Sequence, residues 1–285
     1  MNMQFVFIKK GLIYNGCHCQ LPTIDETEKF LNIYVGDRNE KNKSFIRQIK
    51  LDKNNLNKIL DISENIFETS LQKFDSDGQM PSEIVEHNNN KFLFYTGWHI
   101  NGSKYHHSIC MAKMENNKWI KHNKPVIEPN EKNNFLNSSP KIIKNNNYFM
   151  MYFISGEDAG DWTCYGPQYK IWIAFSNDCI NWTKEKINFP RREFEIFSRP
   201  FVFQREGLFH MLYTWMILGK IKNYKIGYAN SEDGLNWTRV NNNILEQTSY
   251  EWDNESVAFP YIWRNYVFYS GNKFGKSGFG YAEIL

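Results

Sequence analysis

Side chains able to do chemistry stand close to the ends of one strand–turn–strand phrase that recurs along this chain. The candidate carboxylates are Asp37, Asp75, Asp77, Asp253 and Glu255. The candidate cationic, polar and aromatic residues are His18, Gln20, Arg38, Trp98, Arg199, Trp215 and Asn272. Carboxylate pairs supply a general acid and a general base, arginines hold hydroxyl or anionic groups, and tryptophan rings offer a flat apolar face. Such a mixture in one cleft is typical of a carbohydrate site.

Three of the carboxylates are predicted to be catalytic. Asp77 and Glu255 form the expected acid and base pair, and Asp37 is the third candidate. Inverting hydrolysis needs carboxyl groups roughly 6.5–9.5 Å apart and retaining hydrolysis roughly 5–5.5 Å, so both outcomes stay open. Which carboxylate is the acid also stays open. Asp75 and Asp253 are predicted to bind substrate, together with the cationic, polar and aromatic candidates.

Each carboxylate candidate also has a structural interpretation. Asp77 before Gly78 is compatible with a simple turn before a strand. Glu255 is compatible with a loop cap. Asp37 beside Arg38 is compatible with a local ion pair at a strand end. These alternatives stay open at the level of sequence.

The repeated phrase is spaced regularly. Prolines 22, 81, 140, 200 and 260 are separated by 59, 59, 60 and 60 residues. Each opens an apolar segment that leads through a turn into an aromatic segment, and Met80–Gly97 is the clearest copy. Proline is tolerated as the first residue of a strand because its missing N–H then lies outside the ladder. A regular period of this kind indicates repeated supersecondary units.

A second recurrence supplies two more strands in each unit. Residues 171–182 match residues 226–237, and both segments end in tryptophan. A turn rich in Ser, Asp, Asn and Gly separates a third strand from a fourth. Four-stranded units repeated radially are the blades of a propeller. The predicted fold is all-β, a five-bladed β-propeller with four antiparallel strands per blade, and residues 1–285 form one domain.

The same recurrence separates structural residues from candidate site residues. We predict that Asp178 and Asp233 are turn residues, and that Trp182 and Trp237 pack between blades. A short helical turn is expected at Leu56–Leu60, within a long polar crossing.

The two ends of the chain are predicted to close the ring. The last unit lacks a fourth strand, whereas the apolar segment Met3–Lys9 has no unit of its own. We expect this segment to pair as the outer strand of the last blade, which leaves no exposed edge at the seam.

Antiparallel pairing brings the residue before each proline and the residues after each second strand to the same end of the propeller. We call this end the funnel. The candidates are expected to converge there, together with the loop acids Glu157, Asp158 and Asp161. His106 and His107 are predicted to lie on the surface of a loop.

Composition narrows the class of partner. The net charge is +3, from 34 basic and 31 acidic residues, and no basic stripe indicates nucleic acid. No apolar run reaches the length of a membrane span, and the N-terminus lacks a basic signal-peptide start, so a cytoplasmic location is expected. The five cysteines have no framework spacing and are predicted to be reduced, and Cys17-x-Cys19 is too weak a pattern to predict a metal site. The expected partner is a small sugar, an oligosaccharide or an activated sugar. No organic cofactor is predicted, while an axial cation or inorganic phosphate is compatible with the funnel.

Several phrases resemble those of a known superfamily across nearly the whole chain. They are His18–Thr23, Asp75–Ser82, Tyr95–Trp98, Ser198–Pro200, Ile226–Ala229, Ser231–Gly234, Trp252–Glu255 and Gly271–Gly280. The chain resembles the five-bladed propeller glycosidases, which include arabinanases and xylosidases of family 43, invertases of family 32 and mannoside phosphorylases of family 130. It is most similar to uncharacterised members found with bacterial surface-polysaccharide genes. The resemblance implies a glycosidase-like enzyme, either a hydrolase or a phosphorolytic or glycosyl-transferring variant.

One departure from the superfamily pattern affects the expected chemistry. Classical members carry an acid directly before the blade-opening proline. The corresponding residues here are Leu21, Met80, Ser139, Arg199 and Phe259. The catalytic roles of the superfamily therefore do not transfer by position, and the sequence also favours, as an alternative, a non-catalytic glycan-binding propeller.

Overall fold

The computed structural model describes residues 5–70, 73–102, 104–130, 136–145, 147–156 and 168–285. Nearly all regular structure in this part of the chain is β-strand. The strands fall into five consecutive antiparallel groups of four, which we number as units one to five.

Units one to three follow one another along the chain. Unit one contains β2 (Gln20–Glu26), β3 (Phe30–Arg38), β4 (Ser44–Asp52) and β5 (Asn55–Ile62). Unit two contains β6 (Gly78–His87), β7 (Asn90–Asn101), β8 (Lys104–Glu115) and β9 (Lys118–Lys121). Unit three contains β10 (Leu136–Asn145), β11 (Tyr148–Gly156), β12 (Tyr169–Ser176) and β13 (Thr183–Lys186). Two parallel contacts, Ser44 with Gly78 and His107 with Leu136, join these units into one sheet.

Units four and five are separate four-stranded sheets. Unit four contains β14 (Glu195–Arg205), β15 (Leu208–Ile217), β16 (Ile221–Ser231) and β17 (Thr238–Asn241). Unit five contains β18 (Ala258–Trp263), β19 (Tyr266–Ser270), β20 (Phe279–Ile284) and the N-terminal strand β1 (Phe7–Tyr14). A four-residue turn, α1 (Asn272–Gly275), lies between β19 and β20.

The N-terminal strand pairs with the C-terminal strand. β1 runs antiparallel to β20 from Phe7 opposite Ile284 to Tyr14 opposite Phe279. The strand lies several residues later than the predicted segment Met3–Lys9, whose first two residues are outside the described part of the chain. Pairing thus brings the two ends of the chain into the same sheet.

The helical turn predicted at Leu56–Leu60 is wrong. These residues belong to β5, the outermost strand of unit one, which pairs with β4. An outer strand has one partner and much solvent contact, so its sequence is polar and lacks a clear two-residue alternation. Only Leu56 is buried in the strand, in contact with the core between units one and five.

Aromatic side chains pack one unit against the next. Trp119 of unit two donates to Tyr34 Oη of unit one at 3.3 Å. The Trp182 ring meets Phe94 edge-on at 6.2 Å, and the Trp237 ring meets Tyr152 at 5.8 Å. Burying such a ring stabilises a fold by about 1.5–3 kcal/mol. The prediction that Trp182 and Trp237 pack between units is confirmed.

Polar turns carry the other predicted structural residues. The Asp178 carboxylate accepts hydrogen bonds from the backbone N–H of Ile180 and Asn181 at 2.9 and 2.8 Å. Asp233 repeats this arrangement with Leu235 and Asn236. The N–H donors lower the pKa of both carboxyl groups well below the usual range. Both aspartates are turn residues, as predicted.

Candidate functional site

Every first strand is irregular at its proline. The pairing register shifts next to each of the five prolines. Four of the residues before these prolines have positive φ, namely Leu21 at 56°, Ser139 at 55°, Arg199 at 34° and Phe259 at 58°. A left-handed conformation costs a non-glycine residue of the order of 1–2 kcal/mol, so the surrounding contacts must hold it. Two such contacts are hydrogen bonds to threonine hydroxyls. Thr96 Oγ1 accepts from the Ser139 N–H at 3.0 Å, and Thr214 Oγ1 accepts from the Phe259 N–H at 2.8 Å.

Three of the residues before the prolines meet in one apolar cluster, which we call the floor. Leu21 and Phe259 are buried in one apolar cluster, and Met80 packs against it. Three units therefore contribute an apolar side chain to the same place, where the superfamily resemblance leads one to expect acids. The floor itself holds no carboxylate from these positions.

Arg199, the residue before the fourth of these five prolines, is a buried cation. Its side chain is 1% exposed, and Nη2 donates to the carbonyl oxygens of Ser82 at 2.9 Å and Pro22 at 3.2 Å. Burial lowers the pKa of the guanidinium to about 10, so it stays charged at neutral pH. Nη1 has no hydrogen-bond partner among the described residues. Arg199 ties units one, two and four together, and a contact of Nη1 with ligand stays a prediction.

A buried ion pair lies close enough to Arg199 for the Glu83 and Arg199 charges to act on one another. Lys141 Nζ lies 2.9 Å from Glu83 Oε2, and Tyr261 Oη donates to Glu83 Oε1 at 3.3 Å. Burial raises the pKa of the Glu83 carboxyl despite these partners. With Arg199 of unit four, whose charge acts on Glu83, units two, three, four and five each supply one group to this buried polar network.

Asp37 fixes two candidate residues with one oxygen. Its Oδ1 accepts from the backbone N–H of His18 at 2.9 Å and of Arg38 at 2.8 Å. Its Oδ2 accepts from Arg47 Nε at 2.8 Å, and the residue is 2% exposed. Asp37 thus positions His18 and Arg38, and its charge is offset by Arg47.

A turn from unit five brings Lys276 beside His18. The Cys19 N–H donates to the Gly275 carbonyl at 2.8 Å. A Cβ on Gly275 would lie 2.5 Å from the Cys19 carbonyl oxygen, so only glycine allows this approach. The Lys276 charge acts on the His18 ring. Two loops that are more than 250 residues apart in sequence therefore meet at the seam between units five and one.

The same turn exposes an aromatic ring. Lys273 and Phe274 have φ of 51° and 63°, and Gly275 follows with 86°. Two successive left-handed non-glycine residues cost of the order of 1–3 kcal/mol each. The Phe274 side chain is 43% exposed and its ring contacts Tyr224 at 5.3 Å. Contacts such as the one with Tyr224 of unit four must hold this strained turn, and they place Phe274 between the seam and unit four.

One row of paired residues crosses units one and two. Arg38 pairs with Ser44, Ser44 with Gly78, Gly78 with Trp98, and Trp98 with His107. Trp98 Nε1 donates to Ser44 Oγ at 2.7 Å, and the ring is 6% exposed. Its ring packs against Tyr105, at 5.9 Å between ring centres. His107 lies within β8 and not on a loop, so that prediction is wrong, and its neighbour His106 is buried and stacks on His99.

We use the name seam cluster for His18, Arg38, His107 and Lys276. Burial and then the Arg38 and Lys276 charges lower the pKa of His18. Burial, with neighbouring cations, lowers the pKa of His107 to about 3, so this ring is neutral at pH 7. His18 Nδ1, Arg38 Nε and His107 Nδ1 are buried atoms without a hydrogen-bond partner among the described residues. Nearby, Gln20 is 7% exposed and its Oε1 is also unpartnered.

Two predicted substrate-binding acids are engaged inside the protein. Asp75 is fully buried, and its Oδ2 accepts from Gln79 at 2.8 Å and from Lys121 at 3.0 Å. Burial acts to raise its pKa, but these donors and Ser70 lower it overall. Asp253 is also fully buried and accepts from Lys9 Nζ at 2.6 Å. These acids stabilise units two and five from within.

Asp77 and Glu255 keep more contact with solvent. Asp77 Oδ2 accepts from the Ile100 N–H at 2.8 Å, Oδ1 lies 3.0 Å from Lys43 Nζ, and the side chain is 22% exposed. Burial acts to raise the pKa of Asp77, but these two donors lower it overall. Glu255 is exposed, and no described residue bonds to its carboxylate. Asn272 holds this loop, because its Oδ1 accepts from the Glu255 and Ser256 N–H groups at 2.8 and 2.9 Å.

Trp215 lies in a separate cluster, on the side of unit four. Its ring is 3% exposed, and Nε1 donates to the Asn242 carbonyl at 2.6 Å. Glu195, fully buried, accepts from Arg239 at 2.6 and 2.8 Å and from Arg192 at 2.6 Å. The Arg192 guanidinium lies 4.3 Å from the Trp215 ring centre. We call Glu195, Arg192, Arg239 and Trp215 the Glu195 cluster.

The predicted loop acids Glu157, Asp158 and Asp161 are outside the described residues. A cavity of about 650 Å³ lies between units three and four, lined by Gln168, Trp172 and Phe197 among others. In the described ranges, no three His, Cys, Asp or Glu side chains are grouped so as to hold a metal ion. No helix in those ranges is long and apolar enough to cross a bilayer.

Lys276 and Phe274 were not predicted to be site residues. Both lie in the phrase Gly271–Gly280, in which Asn272 was a predicted site residue. A signal was present, since Gly275 and Gly278 on either side of Lys276 indicate a tight turn. The direction of that turn depends on the contact with Cys19, which no local pattern reveals.

Comparison with known proteins agrees with the all-β architecture. Residues 64–194 match the model described as the glycosyl hydrolases family 32 N-terminal domain. An uncharacterized protein of Mycobacterium tuberculosis, Rv1502, is 28% identical over 98% of this chain and 97% of its own length.

Solved structures show the same fold at low identity. A glycoside hydrolase superposes with a TM-score of 0.77 at 14% identity, covering 99% of this chain and 91% of its own. A thermostable family-43 glycoside hydrolase superposes with a TM-score of 0.69 at 16% identity, covering 96% and 90%. A family-32 β-fructofuranosidase of Bombyx mori, in complex with sucrose, gives 0.62 at 14% identity, covering 96% and 62%. The fold is that of the propeller glycosidase superfamily, as the sequence resemblance predicted.

Proposed function

We propose that this protein is a glycosidase-like enzyme that acts on a glycosidic bond at the funnel. The observation that carries the proposal is the family 32 match over residues 64–194, within an all-β chain whose neighbours are glycoside hydrolases. The unpartnered polar atoms of His18, Gln20 and Arg38 support a ligand at this end.

We also propose that the five units are the blades of one five-bladed propeller, spanning residues 1–285. Each unit has four antiparallel strands, and the first strands meet through Leu21, Met80 and Phe259. Unit five is completed by β1, which supports ring closure by pairing of the two chain ends. The funnel is then the opening at the proline end of the first strands.

Asp77 and Glu255 are the proposed catalytic pair. They are the predicted acids that keep solvent contact, and they come from units on either side of unit one. The lowered pKa of Asp77 keeps it ionised at neutral pH, which suits a base or nucleophile. Asp37 is better suited to positioning, because three protein donors occupy its carboxylate.

The test is a turnover screen with nitrophenyl glycosides and sugar phosphates, each with and without inorganic phosphate. On the substrate found, Asp77→Asn and Glu255→Gln should each lower kcat about 10²–10⁴-fold. Asp61→Asn is the matched control, since Asp61 is an exposed acid on β5, and it should leave kcat unchanged. Unchanged kcat in both site variants would remove the catalytic assignment. Dependence on phosphate separates a phosphorylase from a hydrolase.

A non-catalytic glycan-binding propeller is the second candidate. It is favoured by the absence of carboxylates before all five prolines and by the internal engagement of Asp37, Asp75 and Asp253. A binder would retain sugars on a glycan array and turn over none of them. Surface-polysaccharide or oligosaccharide metabolism, inside the cell, is the proposed setting for either activity, on the strength of the sequence resemblance.

A further inference from the structure

The seam cluster concentrates positive charge that no described carboxylate neutralises. Arg38 and Lys276 form no ion pair with any described carboxylate, and Asp37, the acid beside them, is paired with Arg47. Among the described residues, Arg38 Nη1 donates to the two oxygens of Asn42, at 2.8 Å to Oδ1. Buried or half-buried cations normally have anionic partners, so this arrangement lacks one.

The cluster is held in place by backbone contacts. One Asp37 oxygen binds the N–H groups of His18 and Arg38, and the Cys19–Gly275 hydrogen bond sets Lys276 beside them. His107 of β8 lies close enough for the Arg38 charge to act on its ring. A site whose groups are fixed before ligand arrives loses less entropy on binding.

Buried polar atoms in and beside the cluster have no hydrogen-bond partner among the described residues. In the cluster these are Arg38 Nε, which is a donor, and Nδ1 of His18 and of His107. Gln20 beside them is more than nine-tenths buried, and its unpartnered Oε1 is an acceptor that suits a sugar hydroxyl and not the anion. Desolvating polar groups of this kind costs free energy unless a ligand or an ordered water completes their hydrogen bonds.

We propose that the seam cluster is a subsite for an anionic group, phosphate or carboxylate, carried by the sugar ligand. The inference rests on the proposed function for the sugar itself. A guanidinium fork recognises either anion through paired N–H donors, and a lysine adds charge without fixed direction. Neutral imidazoles donate one N–H each, which suits the oxygens of either group.

Phe274 completes the subsite on its sugar side. Its exposed ring stands on the turn that carries Lys276, two residues away. A sugar ring packed on Phe274 directs a charged substituent towards the cations at the seam. The neutral part of the ligand and its anionic group are thus recognised by separate residues.

Calorimetric titration of the full chain tests the subsite without requiring turnover. The probes are inorganic phosphate, glucose 6-phosphate, glucuronate and glucose, in the same buffer at low ionic strength. At least one anionic sugar should bind ten-fold or more tightly than glucose, and 0.5 M NaCl should weaken that binding because salt screens the charges. Comparing glucose 6-phosphate with glucuronate shows which anion is preferred, and phosphate alone shows whether the anion binds without the sugar.

Single substitutions test which residues bind the anionic sugar. Arg38→Gln and Lys276→Gln should each weaken the preferred anionic sugar about ten-fold and leave glucose binding unchanged. Phe274→Ala should weaken anionic sugar and glucose alike. Arg205→Gln is the control, since Arg205 is an exposed cation paired with Glu206 on a hairpin turn, and it should change nothing. Matching circular dichroism spectra show that each variant is folded.

Two results would overturn the subsite. One is anion binding that is equal in the wild type and in Arg38→Gln. The other is no anionic sugar that binds more tightly than glucose, including the case in which nothing binds. The catalytic proposal fails by a different observation, unchanged turnover in Asp77→Asn and Glu255→Gln, so the two proposals are separable.

Discussion

The seam cluster and the Glu195 cluster both place cationic side chains beside rings, and they differ in how the positive charge is met. The rings are the His18 and His107 imidazoles in the seam cluster and the Trp215 indole in the Glu195 cluster. In the Glu195 cluster a buried carboxylate takes two hydrogen bonds from Arg239 and one from the Arg192 side chain. In the seam cluster Arg38 and Lys276 face no carboxylate among the described residues. The residue types alone therefore do not distinguish a ligand site from a structural network.

The difference lies in where the counter-charge comes from. Glu195 is the first residue of β14 and reaches back to Arg192, three residues earlier, and across to Arg239 in β17. At the seam, the nearby acid Asp37 turns instead to Arg47 and to two backbone amides. A charged centre that its own fold has neutralised stabilises the protein, whereas one left open is available to a ligand.

The largest expected effect is at the Glu195 carboxylate. Glu195→Gln removes the charge that holds two arginines, and breaking a buried pair costs about 3–5 kcal/mol. We expect a loss of about 3 kcal/mol in the free energy of unfolding, because Arg192 is partly exposed and can return to water. Chemical denaturation at pH 7 measures it.

The control for this variant is Glu206→Gln, which removes an exposed ion pair and should change the free energy of unfolding by under about 0.5 kcal/mol. Arg38→Gln at the seam should also cost little, under about 1 kcal/mol, since it breaks no ion pair. A loss at Arg38 as large as that at Glu195 would mean that the two clusters do not differ as described.

The two clusters should also differ in how the free energy of unfolding depends on pH. Burial lowers the pKa of His107 to about 3, so the fold excludes the protonated ring. The contribution of neutral His107 to the free energy of unfolding is complete above the ordinary histidine pKa of about 6.5. It falls as the pH drops from there towards the pKa of His107 in the folded state. Wild type should lose up to about 1 kcal/mol per pH unit between pH 6 and 5, and His107→Gln should lose less over that range.

Denaturation series at pH 7, 6 and 5 give this slope for both proteins. Glu195 should affect stability in a different pH range, because its arginine partners outweigh burial and lower its pKa. Its contribution is complete above about pH 4.5 and is lost only at lower pH, so wild type and Glu195→Gln should have parallel slopes from pH 7 to 5. Equal slopes for wild type and His107→Gln would contradict the proposed environment of His107.

The smallest effect is expected at Trp215. Trp215→Phe keeps a ring between the two arginines but loses the 2.6 Å bond from Nε1 to the Asn242 carbonyl. The free energy of unfolding should fall by about 1 kcal/mol. Binding of the preferred anionic sugar should be unchanged by calorimetry. Weaker sugar binding in Trp215→Phe would support the sequence prediction that Trp215 contacts substrate.

Much of the strand pattern could be predicted because it repeats. The prolines mark the first strands, and the turn aspartates and packing tryptophans recur in register. β5 was missed because an outer strand carries a weak apolar signal. The turn at Lys273 and Phe274 was missed because left-handed conformation in non-glycine residues depends on the contacts around them.

The candidate site was less predictable, for reasons that particular residues show. Asp75 and Asp253 stand in the expected sequence positions, yet Lys121 and Lys9 neutralise them from 46 and 244 residues away. Asp37 and Arg38 are adjacent in sequence but do not pair, since Arg47 occupies the carboxylate. Which acids remain available is decided by such long-range partners.

The sequence by itself determined the repeat, the strand-forming segments and the absence of acids before the prolines, because periodicity and turn chemistry are local properties. Only the tertiary structure decided which charges are neutralised within the fold and which remain open at the seam. The physical reason is that desolvation and ion pairing depend on distances between residues remote in sequence, such as Cys19 and Gly275, whose 2.8 Å hydrogen bond brings Lys276 to His18.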